Sequence, residues 1–186
     1  MNPIDRETLN QGSTYAEYRA QLTKNAEIFD EVYADPAFTG EDLDFFRRLP
    51  PLTVVAIGED WCPDVFHTLP TWARLVEELE GWDLRVFQRD QDPPLIDAFL
   101  HRGSAKRVPV YAFYDARLYL QTWWSGRSAS AQRAVDSWLA GRTFAELDDS
   151  SRQAIGRRFA EAYRDEFRRA NFIEIKSLLG AFFHLD

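Results

Sequence analysis

An apolar run of strand length, Leu52 to Ile57, is cut off by Gly58-Glu59-Asp60, and a helical pattern begins directly after Trp61-Cys62-Pro63-Asp64. A strand that is apolar throughout is buried on both faces, and it reaches a parallel neighbour through a crossover helix. This turn therefore sets an α/β order for the chain beyond it. It also holds the only cysteine of the chain, between the strand's end and the first helical turn. Backbone N–H groups there lack helical partners and carry partial positive charge, which favours the reactive thiolate. Glu59, Asp60 and Asp64 act in the opposite sense, since nearby carboxylates raise a thiol's pKa.

Downstream, Pro63 to Glu80 reads as one helix kinked at Pro70, with Phe66, Leu69, Ala73, Val76 and Leu79 inward and Gly81 as its cap. Trp82 to Gln88 alternates as a second strand. Asp92-Pro93-Pro94 opens a helix carrying Leu95, Ile96, Phe99 and Leu100; Asp90 and Asp92 signal its N-terminus rather than an acid–base pair. Val110 to Tyr114 and Leu118 to Trp124 are strand-type runs joined by Asp115-Ala116-Arg117. A helix with Val135, Trp138 and Leu139 comes next and ends at Gly141.

This order, with Trp61-Cys62-Pro63-Asp64-Val65 after a β-run and Arg107-Val108-Pro109-Val110-Tyr111 further on, resembles the thioredoxin superfamily. Its texture is closest to a bacterial group of "thioredoxin family" proteins with Trp-Cys-x-Asp and a later Arg-Asp-x-x-Pro. The resemblance spans about residues 50–141. It implies a mixed four-stranded sheet flanked by helices, Cys62 as the catalytic residue, and a cis Val108–Pro109 bond facing it. Trp61, Pro63, Asp64, Val108 and Pro109 would contact substrate, with Arg107 beside them as an anion contact. Trp61 is equally readable as a groove wall or as a core aromatic. Two departures stand out: Val65 occupies the resolving-cysteine position, and Ala56 the position of a buried carboxylate that assists it. A dithiol cycle within this chain is thereby excluded.

The flanks are additions to that core. Residues 1–49 read as a helical extension: a loose arm to residue 12, a helix from the capping box Thr14-Tyr15-Ala16-Glu17 through Val32, and a short helix over Thr39 to Arg48. Residues 142–186 read as a C-terminal extension packed on the core. Ser150 and Asn171 are its expected caps, and Ile155, Phe159, Tyr163 and Phe167 form a stripe more consistent with core than with a partner surface.

With 186 residues the chain is one domain with additions, and 45% hydrophobic content supports a proper core. No apolar run approaches the ~18 residues of a membrane span. The polar start, Met1 to Gln11, lacks a signal's apolar segment, and one cysteine fits a reducing compartment, so the expectation is cytoplasmic. A net charge of −8 argues against nucleic acid. One cysteine and the scattered His67, His101 and His184 make no metal spacing, and no phosphate loop or nucleophile elbow occurs. His67 lies about 140° round a helix from Cys62 and is assigned to the surface. No cofactor is expected, although a low-molecular-weight thiol is a candidate co-substrate.

Two functions fit these features. In the first, Cys62 exchanges with a protein disulfide or small thiol and an external thiol resolves the mixed disulfide. In the second, the chain is a redox-inactive thioredoxin-fold binding or adaptor module. A glutathione-transferase reading is weaker, because that family places a large helical domain after its redox domain. Solvent access to Cys62 separates the first two, since burial removes the redox reading. Oligomeric state is left open.

Overall fold

In a computed structural model, residues 4–90 and 93–185 are described. Four strands, β1 (Thr53–Gly58), β2 (Asp83–Gln88), β3 (Val110–Tyr114) and β4 (Leu120–Ser125), form one mixed sheet in the order β2-β1-β3-β4. β1 is central, parallel to β2 with Ala56 opposite Val86, and antiparallel to β3 with Ala56 opposite Tyr111. The parallel pair is the product of the crossover between them. Every residue of β3 is buried, as an interior strand with helices on both faces requires.

The crossover differs from the single kinked helix expected. It is two helices, α5 (Pro63–Phe66) and α6 (Leu69–Glu77), broken at His67–Thr68. Pro70 has no N–H to return to the preceding turn, so the break falls before it. Thr68 stabilises the break: its hydroxyl donates to the Asp64 carbonyl at 2.5 Å and meets the Tyr111 hydroxyl at 2.7 Å. Gly58 lets α5 close onto the strand end, because a Cβ there would lie 2.8 Å from Val65 Cγ1.

The N-terminal segment is not a loose arm. α1 (Arg6–Gln11) is capped by Asp5, Ile4 and Leu9 are buried, and Ser13 pairs with Val86 through bonds of 2.9 and 2.8 Å. The long helix expected from Thr14 is also two, α2 (Tyr15–Gln21) and α3 (Ala26–Ala34). The intervening loop is held from afar: Asp60's carboxylate accepts from Thr23 and Lys24 N–H, both at 3.1 Å. α4 (Gly40–Arg47) lies within the helix expected over Thr39 to Arg48, with Thr39 as its N-cap. Beyond β2, α7 (Pro93–Ile96) decays into a 3-10 turn, Asp97–Phe99; Asp92 lies outside the described residues. The β3–β4 connection is longer than the three-residue turn expected, since Asp115 Oδ1 accepts from both Arg117 and Tyr119 N–H and Leu118 takes a φ of 63°.

After α8 (Ala129–Leu139), α9 (Asp149–Ala162) is capped by Asp148, not Ser150, because the Asp148 side chain accepts from Ser151 N–H. Asn171 caps nothing: it is fully buried inside α10 (Arg168–Phe183), and its Oδ1 accepts from Ser128 N–H at 2.7 Å. A π-turn, Tyr163–Phe167, joins α9 and α10 into one rod. Tyr163 and Phe167 pack on Ala131 and Val135 of α8, whereas Phe172, Ile175 and Leu179 enter the main core under the sheet. α10 is also tied to α4, where the buried Asp42 carboxylate binds Arg169 and Lys176. Burial opposes its ionisation, but those two cations and Thr39 more than offset this and hold the carboxyl well below the usual range.

Candidate functional site

Cys62 caps α5 from an extended conformation, with Pro63 in the first helical turn as its missing N–H permits. Its sulfur is packed against the segment that leads into β3. The side chain is 7% exposed, and Sγ–H donates to the Val108 carbonyl at 3.7 Å. The Val108–Pro109 bond is cis. Cys62 and Val108 thus meet as the resemblance implied, with the sulfur turned inward.

The electrostatics stem from that placement. Burial and then the charge of Asp64 push the Cys62 thiol up to about 11, against the lowering effect of the first-turn N–H groups and Arg127. A helix of only four residues offers little dipole to oppose them. Of the three carboxylates expected to act on the thiol, Glu59 and Asp60 are otherwise engaged: Glu59 accepts from Asp90 N–H at 2.9 Å, and Asp60 holds the α2–α3 loop.

Asp64 does not face the surface. It is 3% exposed, paired with Arg127 from the loop before α8, and accepts a hydrogen bond from the Tyr163 hydroxyl. Burial raises its carboxyl while Arg127 and Arg107 act against that shift. Trp61, by contrast, is 44% exposed with the Arg89 guanidinium 5.0 Å over its ring, so it is a rim residue and not core.

His67 is not the surface histidine expected. It stacks on Tyr163 with centroids 4.5 Å apart and is half-buried. Burial, with Arg168 and Arg164, depresses it to about 4. Unfolded histidine titrates near 6.5, so His67 contributes stability above that pH and loses it as pH falls toward about 4. We expect His67→Phe, which keeps a stacking ring, to flatten the fall in melting temperature between pH 6.5 and 4 relative to wild type. Identical profiles for the two proteins would refute this assignment.

Two cavities open beside Cys62. One, of about 410 Å³, is lined by Trp61, Val108, Arg89, Lys106, Arg107 and Arg142 among others. The second, of about 630 Å³, is walled by apolar groups from α3, α5, α8 and α9, with Phe144 at its edge. Pro63 lines only the second. Arg127 and Arg142 carry no signal in the sequence, and Phe159 and Tyr163 read there only as members of an apolar stripe. They lie far along the chain from Cys62, and no local spacing joins them to it. Among the described residues, no group of three or more potential ligands is arranged for a metal.

The sheet order, the cysteine at the strand-to-helix turn and the cis proline just ahead of β3 define a thioredoxin-type fold. The family model described as Thioredoxin matches residues 12–139. The chain belongs to the thioredoxin family. Among solved structures it is similar to a protein of unknown function from Pseudomonas aeruginosa, with 16% identity, 82% of this chain and 92% of that one covered, and a TM-score of 0.54. It is also similar to an HIV epitope-scaffold, with 11% identity, coverage of 94% and 96%, and a TM-score of 0.61. These likenesses concern the fold. No curated protein matches the sequence. Among the described residues, no helix is long and apolar enough to cross a membrane.

Proposed function

We propose that this chain is a redox-silent thioredoxin-fold binding module that uses the cleft beside Cys62 to hold a partner without forming a covalent bond. The observation that carries this reading is the buried sulfur: 7% exposed, engaged by the Val108 carbonyl, and with a thiol pushed up to about 11. Exchange requires a thiolate that meets its disulfide, and both conditions are disfavoured here. Val65 and Ala56, both buried and apolar, add no second sulfur and no base. A cytoplasmic setting suits a chain whose single thiol has no pairing partner.

A second reading, monothiol exchange through Cys62 with an external resolving thiol, draws on one feature: Cys62 lines the same cleft as Trp61, Val108 and Arg107, where a small thiol would enter. Trp61, Pro63, Asp64, Val108 and Pro109 would then serve substrate. Incubation with oxidised glutathione, followed by intact-mass measurement with Cys62→Ser as control, separates the two. The binding module predicts no adduct on native protein and one on unfolded protein. A single adduct on native wild type, reversed by excess thiol, would establish the monothiol reading instead.

A further inference from the structure

The two cavities adjoin. Trp61, Cys62, Asp64, Arg127, Val135 and Leu139 line both, so the basic half and the apolar half share a wall. We propose that together they bind an amphipathic carboxylate of the fatty-acid type, with its apolar body between α5 and α9 and its carboxylate among the arginines. This inference rests on the binding-module reading and names its ligand class.

The charges support an anion. Several cations at the basic half are already engaged: Arg127 by Asp64, Lys106 by Asp97 at 2.6 Å, and Arg89 by Asp90 at 2.6 Å. Two hold no ion pair. Arg107 hydrogen-bonds only the neutral Gln132 Oε1, at 3.0 Å, and acts on Asp64 through its charge alone; among the described residues the Arg142 side chain forms no hydrogen bond or ion pair and acts on Glu146 through its charge alone. Two carboxylates line the same half, but Asp64 is paired with Arg127 and Asp136 accepts from Gln132 Nε2 at 2.6 Å, so among the described residues no acid forms an ion pair with these two guanidinia. Guanidinium is the side chain best shaped to bind carboxylate through paired N–H donors.

The apolar half supports a long hydrocarbon body. Its volume of about 630 Å³ falls within the range of small-molecule sites, roughly 300–1,000 Å³. Ile28, Phe66 and Phe159 wall it, and Phe144 at its edge is 49% exposed, apolar area that an occupant would cover. An acidic peptide with one apolar anchor would also be drawn to the arginines. The apolar half being the larger, and the arginines without an ion pair numbering two, favour one carboxylate on a long chain.

The test is calorimetric titration of the full chain with dodecanoate below its micellar concentration, with dodecyltrimethylammonium and a blocked Glu-Glu-Phe-Glu-Glu peptide as comparators. We expect one dodecanoate per chain, no binding of the cation, and weaker or no binding of the peptide. Arg107→Gln with Arg142→Gln should weaken dodecanoate at least ~tenfold, the loss of charge-assisted hydrogen bonds. These side chains are exposed and hold no ion pair, so the double variant should melt like wild type. Phe144→Asp, which places a negative charge at the apolar mouth, should weaken it as well. No dodecanoate binding, equal binding of the cation, tighter binding of the peptide, or binding indifferent to both variants would each overturn the proposal. Failure here with Cys62 still inert to oxidised glutathione removes this ligand class alone; a native glutathione adduct removes the binding-module reading.

Discussion

At pH 7, iodoacetamide should alkylate Cys62 of the native protein two to three orders of magnitude more slowly than the same residue in denaturant. A thiol at about 11 lies about 2.5 units above a free cysteine near 8.5, which leaves roughly 300-fold less thiolate. Burial of the sulfur slows attack further. The native rate should climb about tenfold per pH unit from 7 to 10, whereas the unfolded rate levels off above about 8.5. The same shift governs stability. The native state keeps a proton that the unfolded chain releases, so the contribution is complete below about pH 8.5 and is lost as pH rises toward about 11. By pH 10 the loss amounts to about 2 kcal/mol. The buried tyrosines Tyr18, Tyr111 and Tyr114 and the half-buried Tyr15 are shifted upward too, and with an unfolded value near 10 they add their own loss as pH nears 10. The difference between wild type and Cys62→Ala over about pH 8.5 to 10 therefore reports on Cys62, and Cys62→Ala should fall less than wild type there. Native alkylation within tenfold of the unfolded rate at pH 7 would contradict the buried-thiol description.

Arg127→Met should destabilise the protein by about 3–5 kcal/mol, the usual result of removing one partner from a buried ion pair. For a chain of this length that corresponds to a fall of roughly 6–20 °C in melting temperature. The cost arises at Asp64, which is 3% exposed and would keep only the Tyr163 hydroxyl as a side-chain partner. Adding Asp64→Asn should recover part of the loss, because it removes the stranded charge. A decrease below ~1 kcal/mol in urea unfolding would show that water reaches Asp64 and that the pair is a surface one.

The core of the fold was legible because its signals are local. The apolar run at Leu52–Ile57, the alternation before Gln88 and the residues around Pro109 each declare their element without reference to anything distant. The cis bond at Val108–Pro109 came from the family resemblance alone. The hidden parts depended on contacts across the chain. Four polar residues behaved against their local pattern: Asp60 breaks a helix lying 35 residues upstream, Asp64 turns inward to Arg127 63 residues on, Asn171 sits within a helix to serve Ser128, and His67 stacks on Tyr163. The cysteine's position was readable, but its exposure was not, since that depends on how closely the Val108–Pro109 segment approaches the α5 turn.

The π-turn at Tyr163–Phe167 sets a condition on how such a tail can change over evolutionary time. A π-turn accommodates one residue more than an α-helical turn, and it shifts the phase of α10 relative to α9. Through that shift one rod presents Tyr163 and Phe167 to α8 and Phe172, Ile175 and Leu179 to the core beneath the sheet. A single-residue insertion or deletion on either side would rotate one stripe by about 100° away from its partner while the other stayed seated. The two helices are therefore bound to drift in length together, each indel answered by a compensating one in the same rod. Surface connections such as the one between β3 and β4 carry no such obligation. Relatives that preserve this double seating should differ freely in loop length and very little in the residue count from Ile155 to Leu179.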